Sequence, residues 1–370
     1  MKVLFLLLLL PLTGYSQFTI DYASDTNSYN QNIYRFPILT DNSESAKQIN
    51  DFLQLNELNL LIGKEDSTIF ERDWPTKENF HGRQILNPNI IINTEKILSL
   101  SFFSEWCAAY CEAGIGYYLF DSMYGNRVEL QDLFSPEGYE LIKKMVILHN
   151  EQALIDEIRS TYEFEYNTRT EMRAENRAEY IKSFVQDLSI NEEERSLYEE
   201  CIPKISKYKF FNQFYLNSAE LVIIRERCSN HGMRALDNIG DFVFKIQLPK
   251  VIPLLSDYGR QLLTNDQKKA KSTSSIGKVY KGLIGKKYPI TLILNRLEEN
   301  AVNGWYAYDK SGQGINISGS FREGVYDMKE SDINWDTTGY LKFRIDDVGN
   351  LTGTWKSPKG TELSLELKSN

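Results

Sequence analysis

The chain has 370 residues, of which 42% are hydrophobic, 25% are charged and 12% are aromatic. These values are typical of a folded globular protein and exclude a disordered, a collagen-like or a polytopic membrane chain. The net charge of −9 argues against a nucleic-acid-binding protein, because such proteins usually present a basic surface. At ~150 residues per domain, the length predicts two domains.

Residues 1–16 have the pattern of a secretory signal peptide. A lysine precedes an apolar run over Val3–Leu10, and the small residues Gly14 and Ser16 precede an expected cleavage point before Gln17. This run of about ten residues is too short to cross ~30 Å of hydrocarbon as a helix. The sequence therefore predicts a periplasmic or extracellular protein whose mature chain has no transmembrane segment.

Residues 18–263 are predicted to form an α+β domain, because strand-like and helix-like patterns alternate without a regular βαβ period. The strand-like segments are rich in β-branched and aromatic residues, and the helix-like segments place apolar residues three and four positions apart. Asn42 or Ser43 is the expected N-cap of the first helix, and Ser135 followed by Pro136 is expected to begin the second. The predicted strands are 33–39, 90–104, 115–120, 221–226 and 242–246, and the predicted helices are 43–58, 137–158 and 249–255.

Four cysteines, Cys107, Cys111, Cys201 and Cys228, are expected to form disulfides in an exported protein. Cys107 and Cys111 can join only across a tight turn, because four residues of straight strand span ~13 Å. This pairing leaves Cys201 to bond Cys228. The alternative joins Cys107 or Cys111 to Cys228 across the sheet. A zinc site is disfavoured, since such sites combine two closely spaced ligand pairs and the chain has one.

A polar, lysine- and serine-rich segment at 264–276 is the predicted linker to a second domain at 277–370. This domain is predicted to be an all-β antiparallel barrel, because turn signals separate about eight short strands. An apolar-x-Gly-x-aromatic spacing recurs in it and places all three residue types on one face of a strand. We expect the glycines to leave gaps that aromatic side chains of neighbouring strands fill. The repeats are Val302-Gly304-Tyr306, Ile317-Gly319-Phe321 and Leu351-Gly353-Trp355.

No motif in the sequence indicates catalysis or a cofactor. The chain lacks a nucleophile elbow, a zinc-protease motif, a phosphate-binding loop and a dinucleotide-binding glycine pattern. Of the three histidines, His81 and His149 are interpreted as surface or capping residues. We therefore expect no cofactor and no metal, and we assign no catalytic residue.

The densest polar cluster lies between Arg225 and Asp237, around Cys228. One interpretation is a recognition loop for a polar or acidic ligand, in which the arginines bind anions. The other is a disulfide-tied loop whose polar side chains satisfy its own backbone. The candidate binding residues are Arg227, Asn230, His231, Arg234 and Asp237.

Several short segments resemble a family of exported domains. They are Phe36–Thr40 with Ala46–Asn50, Tyr117–Asp121 with Val128–Phe134, and the stretch Phe242–Leu263. This family is found in the extracellular part of a lysozyme-sensing anti-sigma factor and beside some polysaccharide deacetylase domains. Many members have Gly-Gly-Ala-His before the central strand, whereas this chain has Glu112–Gly116 there, without the histidine. The C-terminal domain is similar to lipocalin-like β modules of exported bacterial proteins. The resemblance implies an accessory or binding role.

Two functional hypotheses follow. The leading one is a non-catalytic cell-envelope module that binds or senses a protein or a glycan, with the loop Arg227–Asp237 as its contact surface. The alternative is a cell-wall hydrolase that uses His231 as a base and Asp237 to orient it. A pocket that contained His231, a carboxylate and a Ser or Cys nucleophile would favour the hydrolase.

Overall fold

A mixed α/β N-terminal region is followed by a closed eight-stranded antiparallel β-barrel, which confirms the predicted fold class. The computed structural model describes residues 18–65, 67–77, 80–161, 192–206, 211–230, 232–266, 270–332 and 335–369, together with 179, 182, 185 and 186. The predicted signal peptide, residues 1–16, lies outside the described residues, and its cleavage stays a prediction.

A five-stranded mixed sheet forms the first layer of the N-terminal region. Its strands lie in sequence order, and every neighbouring pair is antiparallel except the second and third, which run parallel where Tyr34 faces Leu86. The segment predicted as a strand at 90–104 belongs to two strands. A turn separates them, in which the N–H of Thr94 donates to the carbonyl of Ile97 at 2.9 Å. The strands are β1 (Ile20–Thr26), β2 (Ile33–Leu39), β3 (Gly82–Asn93), β4 (Ile97–Cys107) and β5 (Cys111–Asp121).

Helix α1 (Glu44–Leu53) covers one face of this sheet. Ser43 is its N-cap, since the Ser43 side chain accepts a hydrogen bond from the N–H of Ala46 at 3.2 Å. A π-helical turn continues the helix over Gln54–Leu58. The apolar side of α1 is fully buried with β4 and β5 in one core cluster, whose members include Ile49, Phe52, Leu98, Leu100, Phe102 and Phe120.

A second layer packs on the opposite face of β4 and β5, around a core cluster that includes Ile97 and Leu119. The Ser135 hydroxyl accepts from the N–H of Gly138 at 3.0 Å and Pro136 is the first helical residue, so the predicted start of the second helix is confirmed. A second disulfide, Cys201–Cys228, ties a helix of this layer to the loop after one of its strands. Its elements are α2 (Pro136–Thr161), α3 (Glu192–Ser206), β6 (Gln213–Leu216), β7 (Glu220–Arg225), β8 (Phe242–Gln247), α4 (Leu248–Val251) and α5 (Asp257–Leu263).

The barrel is an up-and-down arrangement in which each strand pairs with the next and the last pairs with the first. The closing pair places Leu365 opposite Ile284. Closure removes the two free edges that an open sheet would have. The strands are β9 (Val279–Ile284), β10 (Tyr288–Arg296), β11 (Ala301–Tyr308), β12 (Gly314–Arg322), β13 (Val325–Ser331), β14 (Thr337–Ile345), β15 (Asn350–Lys356) and β16 (Glu362–Ser369).

The recurring glycines of the barrel are required for a different reason from the one expected. A Cβ atom added at Gly304, Gly319 or Gly353 would lie 2.0 to 2.1 Å from a backbone oxygen of the neighbouring strand. The strands therefore approach too closely for any side chain, as at the bends of a tightly coiled barrel. At Gly339 the expected arrangement does occur, because the Trp355 indole nitrogen would lie 2.7 Å from an added Cβ.

Strand β10 is buried on both faces and joins the barrel to the N-terminal region. Ile290, Leu292 and Leu294 point into the barrel core, whereas Ile293 belongs to the core cluster that contains α1. All four side chains are fully buried. The hydrophobic core of the sheet is thus completed by the barrel.

Polar contacts also cross this junction. Asn295 Nδ2 donates to Asn56 Oδ1 at 2.8 Å, and Arg127 donates to Asn295 Oδ1 at 2.9 Å. Lys281 forms an ion pair with Asp51 at 2.7 Å. The barrel is therefore fixed to the N-terminal region by both apolar and polar contacts.

The ends of the predicted linker 264–276 are packed, while residues 267–269 lie outside the described part of the chain. Ile276 is buried in the barrel core, and the hydroxyl of Tyr280 donates to the carbonyl of Ser275 at 2.7 Å. The domain limits stay a proposal. Within the described ranges, no helix has the length and apolar character needed to traverse a bilayer.

Candidate functional site

The tip of the β4–β5 hairpin carries the Cys107–Cys111 disulfide. The two cysteines lie directly opposite each other in the strand register, with their Cα atoms 4.0 Å apart. Between them the N–H of Ala108 donates to the carbonyl of Tyr110 at 3.0 Å. Both disulfides of the structure are the pairs favoured by the sequence spacing.

A groove of about 540 Å³ lies beside this hairpin tip, a size typical of small-ligand sites. We call it the hairpin groove. Three of its aromatic side chains are about half exposed, at 48% for Tyr29, 55% for Phe80 and 54% for Tyr110. Among the described residues, the lining side chains include no acid, lysine, arginine or histidine. The lining residues are Tyr29, Asn30, Phe80, Gln84, Cys107, Ala108, Ala109, Tyr110 and Cys111.

The two amide side chains of the groove are held in place from within the protein. Asn30 Nδ2 donates to Gln84 Oε1 at 3.0 Å and to the Tyr34 hydroxyl at 3.3 Å. Gln84 Nε2 donates to the carbonyl of Phe80 at 3.2 Å. The orientation of both amides is thus fixed before a ligand arrives, which reduces the entropy lost on binding.

A buried arginine supports the groove from the adjacent position of β3. Arg83 is 6% exposed, and its guanidinium lies 4.9 Å from the ring centre of Trp106 and 3.6 Å from the Asp73 carboxylate. Burial raises the pKa of Asp73, and the positive charge of Arg83 opposes this rise. The Tyr34 hydroxyl donates to the carbonyl of Arg83 at 2.6 Å, which fixes the start of β3 against β2.

The predicted binding loop bonds mainly to itself. Asp237 accepts three backbone hydrogen bonds at 3.1 to 3.2 Å, from Ser229, Ile239 and Gly240. Asn230 Oδ1 accepts from the N–H of Met233 at 3.0 Å. These bonds correspond to the interpretation in which the loop satisfies its own backbone.

The two arginines of this loop bind acidic side chains. Arg227 lies 3.8 Å from the Asp241 carboxylate, and Arg234 pairs with Glu112 at the base of the hairpin tip. The loop therefore reaches the hairpin through Arg234. His231 lies outside the described residues, so its predicted role stays a prediction.

The other two histidines lie at the surface. His149 Nε2 is 3.2 Å from the carbonyl of Val243. His81 stands edge-on to Phe80, with ring centres 4.5 Å apart. Among the described residues, no group of three or more His, Cys, Asp or Glu side chains is arranged to hold a metal ion.

The interior of the barrel is filled by side chains, including Tyr280, Tyr306, Tyr326 and Phe343. A buried carboxylate, Glu330, accepts hydrogen bonds from the hydroxyls of Tyr306 and Thr338 and from the Trp355 indole at 2.6 to 2.7 Å. Burial and the Glu330 charge raise the pKa of Tyr306, so its hydroxyl keeps its proton. These contacts make the barrel axis a packed polar and aromatic core.

Sequence reasoning did not find the hairpin groove. Its aromatic residues lie on the β1–β2 connection, before β3 and at the hairpin tip, up to 81 positions apart between Tyr29 and Tyr110. The usable signal was the WCAAYC segment, in which Trp106 precedes a close cysteine pair and Tyr110 lies between the two cysteines.

No family model and no curated protein matches the chain. Two solved structures show a low degree of similarity to the chain. A member of the DUF3298 family from Bacteroides fragilis has 9% identity and a TM-score of 0.39, over 69% of this chain and 99% of its own. A DUF3298 family protein from Pseudomonas aeruginosa has 10% identity and a TM-score of 0.36, over 65% and 96%. The association with anti-sigma factor ectodomains and deacetylases stays a prediction.

Proposed function

We propose that this protein is a non-catalytic binding module of the bacterial cell envelope and that its ligand is a glycan held in the hairpin groove. The main support for the proposal is the chemical character of the side chains that line the groove. Three half-exposed aromatic rings lie beside two fixed amides, and no ionic side chain lines the groove in the part of the chain that the structure describes. Sugar rings present apolar C–H faces and uncharged hydroxyls, which this combination suits.

Two features that are consistent with export support the envelope setting. Both cysteine pairs are disulfide-bonded, and such bonds persist mainly in oxidising compartments. The N-terminal pattern of a signal peptide predicts the same location. The hydrophobic rings of the groove also suit a protein loop, but a protein partner of standard size buries ≈ 800 Å² per side, with a charged or polar rim. We favour a glycan because the groove is concave and uncharged.

The experiment measures binding of soluble oligosaccharides to the mature chain by calorimetry. The probes are an N-acetylglucosamine tetramer, a glucose tetramer and purified cell-wall glycan fragments. We expect one of them to bind, and we expect Tyr110→Ala and Phe80→Ala each to weaken it about tenfold, which corresponds to ~1.4 kcal/mol.

Tyr340→Ala is the matched control. Tyr340 is 47% exposed, lies on the barrel strand β14 and is absent from the groove wall. The proposal fails if no probe binds, or if Tyr340→Ala weakens binding as much as Tyr110→Ala. Turnover of the wall fragments that disappears in His231→Ala would instead establish the hydrolase.

A further inference from the structure

The Cys107–Cys111 disulfide forms one wall of the hairpin groove. Five of the nine lining residues are the continuous segment Cys107–Cys111. Tyr110, one of the three half-exposed rings, lies inside the loop that the disulfide closes. The position of this ring relative to Phe80 and Tyr29 therefore depends on the bond between the two sulfurs.

We propose that the Cys107–Cys111 disulfide is a redox gate for the hairpin groove, open to ligand when oxidised and inactive when reduced by a dithiol. The inference rests on the proposed glycan-binding function. A thiolate of the dithiol attacks Sγ of Cys111, and Cys107 leaves as a thiolate that takes a proton. The second thiol of the reductant then displaces Cys111, so two electrons and two protons pass to the protein and the reductant becomes a disulfide.

The gate is more accessible to a reductant than the second disulfide, in which Cys228 is only partly exposed. Cys111 is exposed at the hairpin tip. Cys201 is 1% exposed, and it lies in a core cluster with Tyr198 and Phe242. Because thiol exchange requires access to a sulfur, a dithiol reaches the tip first.

The lengths of the two closed loops also distinguish the tip disulfide from the second one. The tip disulfide closes a segment of five residues, whereas Cys201–Cys228 spans a sequence separation of 27. The entropy that a disulfide removes from the unfolded chain grows with the length of the closed loop. Loss of the tip disulfide therefore affects the fold least, and its main effect is local.

The hairpin below the tip stays paired without the disulfide. Trp106 and Glu112 face each other in the register just below the cysteines, and Glu112 is also paired with Arg234. Arg83 packs on Trp106 from the neighbouring strand. Reduction thus frees the residues between the cysteines while the strands keep their partners.

The experiment titrates the mature chain with dithiothreitol and identifies the reduced cysteines by differential alkylation and mass spectrometry. We expect Cys107 and Cys111 to be alkylated at lower dithiothreitol than Cys201 and Cys228. At that point the affinity for the bound oligosaccharide should fall at least tenfold. The double variant Cys107→Ser/Cys111→Ser should show the same loss without reductant and no response to it.

Two results overturn the gate: earlier reduction of Cys201–Cys228, or unchanged oligosaccharide affinity after selective reduction of the tip. Hydrogen exchange of the 103–115 peptide separates the gate from the proposed function. If the oxidised protein binds no oligosaccharide, the glycan function fails. In that case, faster exchange at the tip after selective reduction still supports a redox-controlled loop, and unchanged exchange refutes it.

Discussion

Asn295 in the barrel donates a hydrogen bond to Asn56 in the π-helical turn at 2.8 Å, across 239 positions of sequence. Asn295 also accepts from Arg127 at 2.9 Å, so one amide joins the barrel, the π-helical turn after α1 and the segment that follows β5. Asn295 is 7% exposed, and a buried polar group left without its partner costs about 1–3 kcal/mol.

The variant Asn295→Ala should therefore lower the free energy of unfolding by about 2 kcal/mol. Urea unfolding monitored by circular dichroism measures the change. Asn89→Ala, at an exposed position of β3, is the control and should change stability by less than about 0.5 kcal/mol. Equal changes in the free energy of unfolding for the two variants would show that the hydrogen bond at the junction does not stabilise the protein.

Cleavage of the chain near Lys271 should leave the two parts associated. The outer face of β10 lies in the core of the N-terminal region, and an ion pair and several hydrogen bonds cross the same junction. Limited trypsin digestion followed by native size-exclusion chromatography tests this. Separation of a free barrel of about 100 residues without denaturant would contradict it.

The variant Gly319→Ala should destabilise the barrel by about 3 kcal/mol or more. Its Cβ would lie 2.0 Å from the carbonyl oxygen of Asp327, so a strand must move. Gly114→Ala is the matched control, because an added Cβ there has nothing within 4 Å. Thermal unfolding of both variants provides the comparison, and similar melting temperatures would refute the close-approach explanation.

Removal of the Glu330 carboxylate should cost about 2–4 kcal/mol of stability. Glu330→Ala would leave the Tyr306 and Thr338 hydroxyls and the Trp355 indole without their acceptor in the barrel interior. Glu366→Ala on the exposed side of β16 should be close to neutral. Equal unfolding midpoints for both variants would contradict this role of the buried carboxylate.

Stability should fall as the pH rises from about 4 to 7. Burial, aided by the nearby charge of Glu129, raises the pKa of Asp132 from 3.8 to about 7. The folded state therefore holds a proton that the unfolded state has released, and this contribution is complete below pH 3.8 and lost above pH 7.

The measurement compares the wild type with Asp132→Asn between pH 4 and 7. The Asp132 proton contributes a slope of about 1.4 kcal/mol per pH unit, so the slope of the variant should be shallower by about this amount. The asparagine oxygen can still accept the hydrogen bond that the N–H of Glu129 donates to Asp132 at 3.1 Å. Identical slopes for both proteins would show that Asp132 does not titrate in this range.

Local signals in the sequence predicted much of the fold. Capping residues such as Ser43 and Ser135 and the glycine spacing of the barrel depend on neighbours in sequence, so their patterns can be recognised directly. The close spacing of Cys107 and Cys111 allowed one geometry, and the structure has it. Strand β1 was missed because most of its residues are polar, and β6 was missed because four residues are too few to show a periodic pattern.

The hairpin groove could not be predicted in the same way. It forms because β2 and β3 pair in parallel at Tyr34 and Leu86, which brings the β1–β2 connection beside the hairpin tip. Such long-range pairing leaves no periodic pattern in the sequence. The polar loop of Arg227 was conspicuous for its composition, yet Asn230 and Asp237 accept hydrogen bonds from backbone N–H groups of the loop and of the residues just after it.

Burial of β10 on both faces also affects how the protein folds during synthesis. Residues of the N-terminal cluster leave the ribosome first, but that cluster includes Val279, Ile293 and Ala307 of the barrel. Until the last quarter of the chain has been synthesised, the apolar side of α1 and the sheet beneath it lack these buried contacts. Contacts of such long sequence separation form slowly, so the nascent chain is expected to need a chaperone or delayed compaction before the barrel closes over it.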